Sequence, residues 1–202
     1  MRKFTEPRLV LASHNAGKLE EIERLLQPFG VDVVSAATLG LPEPAETEDS
    51  FIGNARIKAH AAARASGMPA VADDSGIEVE ALGGAPGVYT ADWAETPQGR
   101  DFDMAMRRTW DAVVAAKASQ PWLARFCCTL TLAWPDGEDV IFQGFVQGRL
   151  VWPPRGTQGH GYDPMFQPDG HSITFGEMDR WEKNQISHRA NAFRQLVASC
   201  FT

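Results

Sequence analysis

The segment from Arg8 to Val34 sets the tightest limit on what this chain can fold into. Arg8 to Ser13, Arg-Leu-Val-Leu-Ala-Ser, is a short apolar run that reads as a buried strand. A polar, turn-like stretch follows at His14-Asn15-Ala16-Gly17-Lys18. Leu19, Ile22, Leu25 and Leu26 then recur at helical spacing, with Glu20, Glu21, Glu23 and Arg24 between them. Pro28 and Gly30 end that helix, and Val31 to Val34 reads as the next strand. Strand, polar turn, helix, strand is the opening of an α/β fold.

The rest of the chain continues the alternation. Leu41 to Asp49 is a Pro- and acid-rich loop. Ser50 is placed to cap a helix over Phe51 to Ser66, closed by Gly67 with Pro69 beyond it. Pro69 to Ala72 is apolar and leads into Asp73-Asp74-Ser75-Gly76, read as a strand end. Ile77, Val79 and Ala81 alternate with Glu78 and Glu80, as in a half-exposed strand. Arg100 to Ala118 predicts a helix. Arg125 to Trp134 and Val140 to Gln147 predict an antiparallel hairpin turned at Pro135-Asp136-Gly137. Trp152 to Pro164 reads as irregular, Phe175 to Trp181 as a short helix and Ser187 to Ser199 as a longer one. The expectation is α/β with a mixed sheet flanked by helices. With 202 residues, that is one two-lobed domain spanning residues 1–202.

Charge and cysteine usage remove several classes of function. The net charge is −7, so no global basic field draws the chain to nucleic acid or anionic lipid. An anionic substrate must be held by a local cluster of Lys, Arg and backbone N–H groups. Cys127, Cys128 and Cys200 form no CxxC pair and no zinc-ligand spacing, and an odd count suits a reducing compartment. No signal-like or membrane-length apolar run is present, so the cytoplasm is the expected location, with no membrane partner.

Five places can carry chemistry. The turn Ser13 to Lys18 ends a strand and starts a helix, where orphan N–H groups and the dipole favour phosphate; the alternative is an ordinary capped turn. Asp73 and Asp74, extended, face opposite ways, so one can hold a divalent cation or take a proton from water while the other braces the loop. The alternative is a solvated Asx turn. Glu46 can complete such a cation site or be a surface acid. Asn54 and Lys58, at i and i+4, form either a donor pair or an exposed polar stripe. The loop Gly156 to Pro164 packs three glycines around His160 and Tyr162, suiting a flat base or a flexible connection. Lys183, His188 and Arg189 place three potential cations near a helix start, where the dipole disfavours them unless an acceptor is near. A structural role for His188 stands equally open.

In order, Ser13-His14-Asn15-Ala16-Gly17-Lys18-Leu19-Glu20-Glu21, Glu46-Thr47 with Phe51-Ile52-Gly53-Asn54-Ala55 and Lys58-Ala59, and Ala72-Asp73-Asp74-Ser75-Gly76 form one series. Leu82-Gly83-Gly84-Ala85-Pro86-Gly87-Val88-Tyr89, Gly161-Tyr162-Asp163-Pro164 and Lys183-Asn184 with Ser187-His188-Arg189 complete it. This series, covering nearly the whole chain, resembles the inosine triphosphate pyrophosphatase family, the noncanonical purine NTP pyrophosphatases. The resemblance implies a long mixed sheet, a nucleotide cleft between two lobes, Mg²⁺ dependence, a homodimer, and a purine nucleoside triphosphate such as ITP, dITP or XTP as substrate. By matching position it implies that Ser13, Asn15, Lys18 and Lys58 bind the triphosphate, with His14, Ala16 and Gly17 in the same substrate turn. Glu46 and Asp74 become the Mg²⁺ acids, Asp74 also the proton acceptor, and Ser75 a substrate contact. His160, Gly161, Tyr162 and Asp163 line the base pocket, and Lys183, His188 and Arg189 contact base and phosphate. Two departures stand out. His160 replaces the family's usual large aromatic residue. Asp92-Trp93 follows Tyr89-Thr90-Ala91 where an Arg is common. A pyrophosphatase for modified pyrimidine or methylated nucleotides and a non-catalytic nucleotide-binding protein are the rival readings.

Overall fold

The structure is a computed structural model that describes residues 2–14 and 16–202, without the side chains of residues 16, 17 and 21. The opening is as the apolar pattern requires: β1 (Arg8–Leu11), α1 (Ala16–Leu26) and β2 (Asp32–Ser35). Gly30 takes the left-handed conformation that ends the helical segment, at φ 68°. Next come α2 (Phe51–Ser66) and β3 (Ala70–Val79), then the short strands β4 (Glu95–Thr96) and β5 (Gly99–Arg100). They are followed by α3 (Phe102–Ala115), β6 (Leu123–Ala133), β7 (Asp139–Leu150), β8 (Phe166–Pro168), α4 (Arg180–Ile186) and α5 (His188–Leu196). Six strands make one mixed sheet in the order β2-β1-β3-β6-β7-β8, and β4 pairs with β5 separately. β1 lies parallel to both β2 and β3, whereas β7 and β8 are antiparallel.

The chain forms two compact units. Residues up to Asp74, Thr129–Gln143 and Ala192–Thr202 make the first, and Ser75–Cys128 with Gly144–Asn191 the second. In the first, one cluster under α2 is small-residue: Ala59, Ala62 and Ala63 of α2 pack with Val10, Ala70, Ala72 and Ala133, while Leu9, Leu26, Leu132 and Trp134 are among the larger side chains the unit buries. Alanine favours the helix and lets its axis approach the strands closely. Ser50 caps α2 by accepting from Gly53 N, and Gly67 closes it at φ 68°, as the sequence predicts. The core of the second is aromatic, with Phe126 edge-on to Phe166 at 4.7 Å and stacked with Phe175 at 5.9 Å. Aromatic pairs of this kind contribute beyond the area they bury.

Two expectations need correction. Asp73-Asp74-Ser75-Gly76 is not a strand end: it lies inside a continuous β3. A strand interior tolerates two buried acids only when each has a cationic partner, and each has one, as described below. The helix expected at Phe175 to Trp181 starts instead at Arg180, capped by Asp179, whose carboxylate accepts from Trp181 N at 2.8 Å. Upstream, Thr174 to Met178 is a turn, held by Gly176 N donating to Asp163 O at 3.0 Å. Lys183 is therefore helical.

Candidate active site

The crossovers β1-α1-β2 and β2-α2-β3 run to opposite sides of β1. If both are right-handed, as nearly all such connections are, α1 and α2 cover opposite faces of the sheet. β1 stops at Leu11, paired with Val71, while β3 continues. Asp73 and Asp74 thus project past the carboxyl end of β1, at the place where strand order reverses. Open α/β sheets bind ligands at such points.

Because side chains alternate along a strand, the two acids face opposite ways, and each meets a lysine from a different helix. Lys18 Nζ of α1 donates to both oxygens of Asp73, at 2.7 and 2.9 Å. Lys58 Nζ of α2 donates to Glu46 Oε1 at 2.5 Å and lies 3.5 Å from Asp74 Oδ1. Lys58 and Asp74 are each 8% exposed. Burial pushes the Asp74 carboxyl up to about 6; Lys58 pulls it down, but the negative charges of Glu46 and Asp73 work in the same direction as burial. Burial acts against the charge on Lys58, yet Asp74, Asp73 and Glu46 outweigh it and hold its pKa above the usual lysine value. Among the described residues, Asp74 Oδ2 is buried without a hydrogen-bond partner.

The loop bearing Glu46 is tied down at both ends. His14 Nε2 donates to Leu41 O at 3.1 Å, and Glu48 N donates to Asn54 Oδ1 at 3.0 Å. Asn54 is only 3% exposed. Of the two readings for Asn54 and Lys58, the exposed polar stripe is overturned: both are buried, with Glu46 and Glu48 of loop 41–49 and Asp74 of β3 as their partners. Ser13 is buried at 8%. Asn15 lies outside the described residues; Ala16 and Gly17 form the first turn of α1.

The second unit gathers most of the other expected residues. Asp163 is 2% exposed, and its Oδ2 accepts from His160 N at 2.8 Å and from Lys183 Nζ. This pins the loop and pairs Lys183 with Asp163, a partner the sequence did not indicate, leaving the ammonium further N–H donors. The Tyr162 ring is 1% exposed and sits edge-on to Phe102 at 6.1 Å, so this residue can offer a ligand little beyond its backbone. His160 and Gly161 remain at the surface of the loop or partly so. His188 is 7% exposed and stacks on Phe126 at 4.9 Å and 13°. Arg189 follows it in the first turn of α5, and Ser187 Oγ accepts from Ala190 N at 3.1 Å as the cap. Ser75, partly buried, follows Asp74 in β3.

The loop conformation depends on Gly156, whose φ is +87° and whose Cβ, if present, would lie 2.0 Å from Gly176 O. Gly156→Ala combines left-handed strain with a backbone clash, and is expected to cost more than about 2 kcal/mol in urea unfolding. A variant as stable as wild type would show that this loop yields readily.

Asp73 as the anchor of Lys18 was within reach of the sequence, since alternation already sent the two acids to opposite faces. The tie of Asn54 to Glu48 N is local, six residues apart, but those of Arg56 and His60 to Asp139, described below, join residues 83 and 79 apart in the chain and leave no spacing to read.

The comparisons with known proteins agree with this architecture. A model of the Ham1 family matches residues 9–199. The chain is 65% identical over 200 residues to a dITP/XTP pyrophosphatase of Ruegeria pomeroyi, covering 99% of this chain and 98% of that one. It is 53% identical over 211 residues to a dITP/XTP pyrophosphatase of Agrobacterium fabrum, covering 99% of each. Among solved structures, a HAM1 protein from Coxiella burnetii superposes with a TM-score of 0.90 at 36% identity, covering 96% of this chain and 98% of that chain. With sequence and fold both matched along nearly its full length, this chain belongs to the Ham1 family.

Proposed function

We propose that this protein hydrolyses noncanonical purine nucleoside triphosphates, ITP, dITP and XTP, to the monophosphate and pyrophosphate. The relatives' activity supports the substrate class, and the observation that carries the chemistry is Asp74. Its carboxyl is held near 6, it is buried beside Lys58, and among the described residues its Oδ2 has no hydrogen-bond partner. A base with a pKa near the working pH is well suited to take a proton from an attacking water.

Glu46 and Asp74 fit a hard divalent cation, read here as Mg²⁺. Among the described residues no cluster of three or more His, Cys, Asp or Glu side chains forms a cage. Mg²⁺ needs none, since it commonly takes one or two carboxylates and completes its shell with water and substrate phosphate. The orphan Oδ2 and the mutual repulsion of Glu46 and Asp74 suit such an ion. Bound there, it would neutralise charge on the triphosphate.

The protein's own groups do the rest by positioning and electrostatics. Lys18, Ser13 and the start of α1 hold the outer phosphates, with Lys58 beside them; Asp73 keeps Lys18 in place. Asp74 Oδ2 accepts the proton of the water that attacks the α-phosphorus, and pyrophosphate leaves. Ser75, the loop from His160 to Asp163, Lys183, His188 and Arg189 read the nucleoside. Hypoxanthine and xanthine present a 6-keto acceptor and an N1–H donor, and adenine presents the reverse. A site that donates to O6 discriminates against adenine by roughly 10⁴-fold, and guanine, which shares O6 and N1–H, is rejected at its 2-amino group. The reading includes a cytoplasmic homodimer; no helix among the described residues is long and apolar enough to cross a membrane.

Product analysis with ITP, XTP, dITP, ATP and GTP, with and without Mg²⁺, tests this. Pyrophosphate is expected from the first three with Mg²⁺, and little product from ATP or GTP. Orthophosphate as the product, or equal rates on ATP, would overturn it. Arg189→Ala is expected to erode the ITP:ATP preference, and an unchanged ratio removes Arg189 from base recognition.

A further inference from the structure

We propose that Asp139 is a positioning residue that holds α2 at the rotation aiming Lys58 at Glu46 and Asp74; this rests on the role for Lys58 given above. Asp139 opens β7, just after the turn in which Trp134 N donates to Glu138 O at 2.9 Å. Its side chain is 14% exposed and accepts three bonds from α2. Arg56 Nε and Nη2 reach its two oxygens at 2.9 and 3.1 Å, and His60 Nε2 lies 2.9 Å from Oδ2. A carboxylate only accepts, so the imidazole donates from Nε2. Its Nδ1 has no partner among the described residues, so Asp139 is the one polar anchor seen for that ring.

Arg56 and His60 are one turn apart and share a face of the helix. Lys58 lies two residues from each, roughly 200° around the axis at 3.6 residues per turn. The carboxylate therefore grips the side of α2 opposite Lys58. Apart from Asn54 near its start and Lys58 itself, the buried face of the helix is alanine: Ala55, Ala59, Ala62 and Ala63. Alanine methyls form shallow ridges that resist rotation weakly. A turn of about 20° would carry a lysine Nζ by roughly 3 Å, given the helix radius and an extended side chain. Misplacement by even ~1 Å can cost about 10²-fold in rate. A bidentate guanidinium with a second donor one turn on fixes that rotation with directional, charge-assisted bonds.

The test uses Asp139→Ala and Asp139→Asn in the full chain, with Mg²⁺ and ITP. In Asp139→Ala, kcat is expected to fall at least ~10-fold while KM moves less than ~3-fold, and Asp139→Asn, which still accepts from Arg56, recovers part of the loss. In a Lys58→Met background, Asp139→Ala should add less than ~2-fold, because nothing remains to be aimed. Additive losses, or an unchanged kcat, would overturn the proposal. Acetylation of Lys58 relative to the exposed Lys117, read by mass spectrometry, gives a measure independent of turnover. It should rise at least ~5-fold in Asp139→Ala, and unchanged protection overturns the proposal even if no triphosphate is a substrate. Wild-type protein inert on every triphosphate would sink the functional reading instead.

Discussion

Asp74→Asn is expected to lower pyrophosphate release by about 10²–10⁴-fold, the usual contribution of a general base, while making the metal-free protein more stable above pH 6. Both effects follow from one environment. The carboxyl stands at about 6 against an ordinary 3.8, so the native state disfavours its ionised form by on the order of 3 kcal/mol. Below pH ~4 the acid is protonated in folded and unfolded chains alike, and its neutral form is fully accommodated. As pH rises from ~4 to ~6 the unfolded chain ionises first, and this group's contribution to stability is lost. Asparagine never ionises and escapes that loss. Thermal melts in EDTA should show variant and wild type alike near pH 4, with the variant higher from pH 6 upward. A difference that stays flat with pH would refute the raised carboxyl, and near-normal turnover would remove Asp74 from the chemistry.

The sequence is informative where physics is local. The helical spacing of Leu19, Ile22 and Leu26, the Ser50 cap and the Gly67 stop each act within a turn or two, and α1 and α2 lie where these signals place them. Asp73 and Asp74 mark the limit of such reading. Polar residues in a row, followed by Ser-Gly, read as a strand end, because nothing nearby in the chain can balance their charge. Their partners, Lys18 and Lys58, come from two different helices. Tertiary pairing thus overrides a sound local expectation, and it does so at the proposed catalytic position. Asp163 repeats the pattern, since the lysine that balances it comes from α4. The displaced helix at Arg180 has a smaller cause: Asp179 outcompetes earlier positions as a cap.

Lys58→Met should be the most destabilising single change at this site, costing about 3–5 kcal/mol in metal-free protein at pH 8. Lys58 balances three acids at once: Glu46, which is 44% exposed, and the buried Asp73 and Asp74. Methionine keeps the apolar stem but leaves the carboxylates facing one another. Most of the loss belongs to Asp74, the acid left buried near Glu46 without its cation. Lys58→Met combined with Asp74→Asn should therefore recover most of the stability, and the two changes should be strongly non-additive. Mg²⁺ offers a second route to recovery. A cation bound by Glu46 and Asp74 in the folded state alone stabilises by RT ln(1 + [L]/Kd), and with Lys58 gone it meets no competing ammonium. Titrating Mg²⁺ into Lys58→Met should raise Tm more steeply than in wild type, and the double variant, lacking one ligand, should respond least. If Lys58→Met melts like wild type, the lysine is not what keeps these acids buried; if all three proteins respond equally to Mg²⁺, the ion binds elsewhere.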